Sequence, residues 1–113
     1  MKVSCHCGNV EIETNTHPKE VVHCNCSICR RYAAAWAYYD PKDLHIHFKK
    51  EASVYYLWGD KEVEFHRCNQ CGCLTHYKTT QKCDVNKMAV NMRLAEPDVL
   101  EALPVRNLDG AGF

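Results

Sequence analysis

Seven of the nine cysteines fall into three short runs: Cys5 and Cys7, then Cys24, Cys26 and Cys29, then Cys68 and Cys71. Thiols one or two residues apart can reach a single metal ion, and sets of thiolates suit zinc. A structural zinc takes four protein ligands, whereas a zinc that does chemistry keeps one position open. The two pairs together supply four thiolates and the triplet supplies three. The count therefore predicts two zinc ions per chain. Cys5, Cys7, Cys68 and Cys71 make a closed structural site, and Cys24, Cys26 and Cys29 make an open one.

The donor sets differ in what they can do. Joining the first and last pairs closes a loop of about sixty residues, so zinc affinity there becomes folding free energy. Gly8 and Gly72 directly follow the two pairs and permit the tight return that a metal knuckle needs. Three thiolates leave a zinc with net negative charge. Such a zinc is a weak Lewis acid, poorly suited to making hydroxide and better suited to holding a soft thiolate. Arg30 and Arg31 follow the triplet at once and are candidates to bind substrate carboxylates through their planar forks. In the alternative, the triplet recruits a fourth ligand from His23, His66, Cys73 or His76. Both sites are then structural, and the chain is a non-catalytic zinc-binding interaction module.

The 113 residues read as one zinc-binding domain spanning 1–113. Fourteen basic and fourteen acidic residues cancel, which disfavours nucleic acid as a partner, because a phosphate backbone calls for surplus Lys and Arg. Met1-Lys2-Val3 leads straight into the first cluster, with no apolar leader and no membrane-length stretch, so the expected location is the cytoplasm. There thiols stay reduced, and an odd cysteine count also fits poorly with a disulfide framework.

The elements that must position the clusters are short and β-rich. Val10 to Thr14 and Leu44 to Phe48 alternate apolar and polar, with Leu44, Ile46 and Phe48 inward and His45 and His47 outward. Val21 to His23 leads into the triplet, and Arg30 to Ala35 reads as a short helix or turn. Trp36 to Tyr39, Leu74 to Lys78 and Met88 to Met92 read as strands. Val54 to Trp58 and Glu62 to Phe65 form a hairpin about Gly59-Asp60 that feeds into Cys68. Pro97 to Glu101 is a helical turn, Pro104 to Leu108 an extended piece, and Asp109 to Gly112 a small, flexible tail. The expectation is a mainly β fold of short antiparallel strands with little helix. The aromatics Trp36, Tyr38, Tyr39, Tyr55, Tyr56 and Trp58 are expected in the core, the alternative being the wall of a small-molecule pocket, and Cys73 and Cys83 are expected as small buried hydrophobes.

Three segments carry a family resemblance: Cys5 to Val10, Cys24 to Arg31 and Phe65 to Gly72, with Val90-Asn91 and Pro97-Asp98 beyond them. In these the chain resembles the glutathione-dependent formaldehyde-activating enzyme family, which includes centromere protein V. The resemblance implies a small zinc-stapled β-tent fold and the same division of cysteines between a structural and a catalytic zinc. It implies a carbon–sulfur lyase-type activity, that of an S-(hydroxymethyl)glutathione synthase, joining formaldehyde to the thiol of glutathione. A thiolate would sit at the open three-Cys zinc. The alkoxide formed on the aldehyde needs a proton donor, for which His76, Tyr77 and His23 are the candidates.

Overall fold

The computed structural model describes residues 1–112. Strand β1 (Lys2–Ser4) pairs antiparallel with β2 (Val10–Thr14), and β2 with β5 (Leu44–Phe48), giving a three-stranded sheet. A seven-stranded sheet contains β3 (Val21–Cys24), β4 (Trp36–Tyr39), β6 (Val54–Tyr56), β7 (Val63–Arg67), β8 (Leu74–Thr79), β9 (Met88–Asn91) and β10 (Val105–Leu108). Its order is β10-β3-β4-β9-β8-β7-β6. Two short helices, α1 (Ser27–Tyr32) and α2 (Pro97–Glu101), and three 3-10 turns make up the other elements among the described residues. The fold is mainly β, as the alternation of short apolar runs leads one to expect.

Alternation builds two apolar layers, one on each face of the large sheet. Ala37, Tyr39 and Val90 point to one face and meet Val3, Val10 and Ile12 of the small sheet. Val22, Trp36, Phe65, Tyr77 and Ala89 point to the other, where Cys29 joins them. The two faces thus divide the molecule's chemistry, since the second layer floors the triplet.

Several expectations are corrected. One strand pair is parallel, β10 beside β3, with Leu108 opposite Cys24. Helix α1 begins at Ser27 instead of Arg30, because the Cys26 sulfur accepts the Cys29 N–H at 3.4 Å, as an N-cap oxygen does elsewhere. It ends at Ala33, in the left-handed conformation at φ 53°. The β6–β7 connection runs over residues 57–62 and is no two-residue turn; Trp58 and Lys61 close it with a backbone hydrogen bond of 3.0 Å. Phe48 lies at the end of β5 and is exposed, while Leu44 is buried. Trp36 and Tyr39 are core residues as expected, but Tyr55 and Tyr56 on the edge strand β6 and Trp58 in the connection after it are exposed. Cys73 and Cys83 are only half-buried.

Candidate metal centres

The first cluster joins the two sheets. After β1 the chain turns at Gly8, which takes φ 82° and donates its N–H to the Cys5 carbonyl at 3.1 Å. After β7 it turns at Gly72, with φ 79° and an N–H to the Cys68 carbonyl at 3.0 Å. A Cβ carries a steric penalty in this left-handed region, so glycine belongs there. The two knuckles bring Cys5, Cys7, Cys68 and Cys71 together, all four sulfurs within 4.8 Å of one another. Cys5 and Cys7 are 3.7 Å apart, and Cys7 and Cys68 3.6 Å. Four sulfurs at about 2.3 Å from a tetrahedral zinc stand roughly 3.8 Å apart, so the spacing fits that ion.

Backbone N–H groups converge on these sulfurs. Val10 donates to Cys5 at 3.3 Å, and Gln70 and Cys71 donate to Cys68 at 3.3 and 3.5 Å. Burial raises the Cys71 thiol, but the Cys73 and Cys7 amides and the neighbouring thiols outweigh it and bring it down to about 5. The exposed Cys7 is instead pushed up to about 11: the Asn9 amide lowers it, and desolvation and the surrounding thiols outweigh that. Four touching sulfurs cannot all ionise without a cation, which is the chemical case for a metal here.

Asn9 is buried and organises this centre. Its Oδ1 accepts the N–H groups of Lys50 and Glu51 at 2.8 and 3.1 Å. Its Nδ2 donates to the Glu51 carbonyl at 2.8 Å and to the Cys68 sulfur at 3.6 Å.

The second cluster is Cys24, Cys26 and Cys29, delivered by the end of β3 and the start of α1, again within 4.8 Å. Among the described residues no fourth His, Cys, Asp or Glu side chain completes it. Cys29 is buried, and its sulfur accepts the indole N–H of Trp36 at 3.4 Å. Burial pushes the Cys29 thiol up to about 12 against the Trp36 hydrogen bond, with Cys26 and Cys24 adding to the rise. Cys26, stabilised by the Cys29 and Ile28 amides against its own burial, is lowered. The donor set fits a soft dication that accepts one further ligand.

A cleft of about 530 Å³ opens beside Cys24 and Cys26. Ile28, Trp58, Val63, Phe65 and Leu108 supply apolar walls, and among the described residues Asp60 and Glu62 are the charged ones in its lining. Asp60 is the first cause of a raised Glu62 pKa.

The four alternative fourth ligands lie elsewhere. Cys73 accompanies the four-thiol cluster, where the His6 amide, its own burial and the Cys71 thiol act on it. His23 follows Val21 onto the face of β3 away from Cys24. His66 and His76 pair on the same face as Val90, and Phe65 and Tyr77 pair on the face of Cys29. Of the three proton-donor candidates, the fold therefore brings Tyr77 to the triplet's side. Tyr77 packs edge-on to Trp36 at 4.9 Å and 68°, and burial, followed by Tyr38, Cys29 and Cys24, raises its pKa strongly.

Tyr38, which sequence grouped with the aromatics of the core or of a pocket wall, shares that face. Burial raises its phenol, the Tyr77 hydroxyl partly offsets this, and Cys24 and Cys29 add to the rise. Arg31 is exposed, donates to the Ser27 carbonyl at 2.8 Å, and lines a groove with Tyr56 and Trp58. Arg30 is exposed and lines neither the groove nor the cleft.

Fold and site together define a small two-sheet β protein with a four-thiol clasp and a separate three-thiol centre facing a cleft. The model of the glutathione-dependent formaldehyde-activating enzyme family matches residues 1–102, and the chain belongs to that family. A Halomonas elongata protein named "Putative glutathione-dependent formaldehyde-activating enzyme" is 34% identical over 77 residues. That match covers 60% of this chain and 49% of the relative, so the chain spans about half the length of the curated relative it matches. The crystal structure of a Rhodobacter sphaeroides protein superposes with a TM-score of 0.74 at 30% identity. It covers 94% of this chain and all of that one. No helix among the described residues is long and apolar enough to cross a membrane.

Proposed function

We infer that this chain is a zinc-dependent enzyme of carbon–sulfur chemistry that joins a small thiol, such as glutathione, to an aldehyde such as formaldehyde. One observation carries the reading: the three-thiol cluster has no fourth protein ligand among the described residues and borders a cleft. Family membership supports the same substrates.

Zinc held by Cys24, Cys26 and Cys29 would offer a position to a thiol sulfur and lower its pKa. The chain's own residues do the rest. The Trp36 indole N–H fixes the Cys29 sulfur and tempers its charge. Trp58, Val63, Phe65 and Leu108 form mostly apolar walls against which thiol and aldehyde would be held side by side. The reaction balances without a further reactant. The thiol's sulfur forms the new bond to the carbonyl carbon, the π pair moves to oxygen, and the thiol's proton ends on that oxygen. Tyr77, Tyr38 and Tyr32 hold phenolic protons on the triplet's side of the sheet, and Glu62 brings a carboxyl of raised pKa to the cleft wall; of the three sequence candidates, Tyr77 is the one on that side and would return the proton.

The Cys5, Cys7, Cys68 and Cys71 set would hold a second, structural zinc. Arg31 lines a groove that shares Ile28 and Trp58 with the cleft, which supports it over Arg30 as the arginine that would meet a substrate carboxylate. Calorimetric titration of the zinc-loaded chain with glutathione, alongside X-ray absorption at the zinc edge, tests the reading. Heat of binding and one added sulfur at one of two zincs are expected. No heat and an unchanged edge would sink it.

The alternative, a non-catalytic interaction module, is favoured by one feature. Tyr55 and Tyr56 on the β6 edge and Trp58 in the connection after it expose about half their area, a surface suited to a protein partner. A protein side chain as fourth ligand of the triplet zinc would decide for it.

A further inference from the structure

Asn25 lies between two thiols of the triplet and is exposed, yet its backbone N–H and both side-chain polar atoms bond to one segment. Its backbone N–H donates to the Leu108 carbonyl at 3.1 Å. Its side-chain Nδ2 donates to Asp109 Oδ1 at 2.9 Å, and its Oδ1 accepts the Ala111 N–H at 2.9 Å. Residues after β10, read from sequence as a flexible tail, are therefore a 3-10 turn, Gly110–Gly112, fastened over the triplet. The parallel pairing of β10 with β3 delivers the turn there, since Leu108 stands opposite Cys24.

Gly110 is the residue laid on the sulfurs. A Cβ built on it would collide with Cys24 Sγ and stand 3.2 Å from Cys26 Cβ. Gly110 also lines the cleft, so bare backbone forms part of the wall beside the reacting position.

We propose that Asn25 and Gly110 are positioning residues of the three-thiol centre, and that docking of the 109–112 turn and metal occupancy of the triplet are one linked equilibrium. The inference rests on the metal reading above and adds what sets the triplet's geometry. Cys24 and Cys26 end a strand and start a helix, and nothing in the spacing of the triplet fixes the angle between them. Three hydrogen bonds between the intervening residue and this segment, one to Leu108 at the end of β10 and two to the turn, fix it. Linkage is reciprocal: a turn that preorganises the sulfurs raises metal affinity, and bound metal holds the turn down.

The test uses the full zinc-loaded chain and a chromophoric chelator that reports each zinc released. Asn25→Asp keeps the acceptor for the Ala111 N–H but sets a carboxylate against Asp109. It is expected to weaken one of two zincs by about tenfold or more, the usual cost of losing an outer partner of a metal ligand, and to leave the other unchanged. Exchanging the pair, Asn25→Asp with Asp109→Asn, restores both hydrogen bonds, because the new carboxylate accepts from the new amide and from the Ala111 N–H. That double variant is expected to recover the wild-type affinity. Gly110→Ala is expected to weaken the same zinc with no recovery from the exchange. The proposal is overturned if Asn25→Asp matches wild type, if it weakens both zincs alike, or if the exchange fails to restore the site. A wild-type chain that holds a single zinc overturns this proposal together with the metal reading; two zincs with an indifferent Asn25 overturn this proposal alone.

Discussion

His66 and His76 stack face to face, their ring centroids 4.5 Å apart and 15° from parallel, on the sheet face turned away from Tyr77. Ser53 and Glu64 hold the His66 nitrogens at 2.8 and 2.9 Å, and Thr75 holds His76 Nδ1 at 2.8 Å. Burial, followed by the His66 and Lys78 charges, pushes His76 down to about 3. The unfolded chain binds this proton near pH 6.5 and the folded chain does not. Stability is therefore complete above that pH and is lost as pH falls toward 3. About 2 kcal/mol is gone by pH 5 through this one group. Urea unfolding at pH 7 and pH 5 checks it: the wild type should weaken more than His76→Gln, since other acid-sensitive terms cancel in the difference. Equal losses would place the acid sensitivity elsewhere.

Trp36→Phe removes the indole N–H from the Cys29 sulfur while keeping an aromatic ring against Phe65 and Tyr77. The expected result is about tenfold weaker metal binding at the triplet with the four-thiol centre unaffected. Cobalt substitution reads both, through the sulfur-to-metal charge-transfer bands of each centre.

The two clusters should fail differently. Cys24→Ser is expected to cost one metal per chain and leave the fold largely intact, because its site lies within one stretch of chain. Cys68→Ser is expected to unfold the domain, because it opens the link between residues 61 apart. Metal analysis and circular dichroism distinguish the outcomes, and a folded Cys68→Ser chain would contradict the structural role.

Asp60 and Glu62 place like charge in the cleft that an anionic thiol must enter. Asp60→Asn with Glu62→Gln should tighten glutathione by about three- to tenfold at low salt and weaken the cationic thiol cysteamine by a similar factor. Parallel titrations of both thiols check the sign; a shift of both in one direction would show that shape, not charge, governs entry.

The division of cysteines is legible because it is written in local spacing, and so are β2, β4 and α2, where period and turn residues agree. What escapes depends on distant partners. Asn9 and Asn25 look like ordinary loop residues, yet their amides bond across 42 and 84 positions. The β-bulge between His66 and Arg67 shifts the β7–β8 register there, so the spacing from Cys68 or Cys71 does not by itself give the facing of His76. The start of α1 is hidden because cysteine is not among the usual capping residues, and here its sulfur caps. Trp58 and Phe48 have core composition but sit in a connection and at a strand end, where both are exposed.

The clasp between Cys5, Cys7, Cys68 and Cys71 also orders events in time. During synthesis the first knuckle emerges early, and Cys7 waits for a partner 61 positions further on. Until then the small sheet has strands but no bolt to the large one, and two reduced thiols stand ready for any soft metal or oxidant. Non-local closure of this kind is slow relative to hairpin formation. Refolding with zinc should accordingly end in a late, metal-dependent phase that stopped-flow fluorescence resolves and that chelator abolishes.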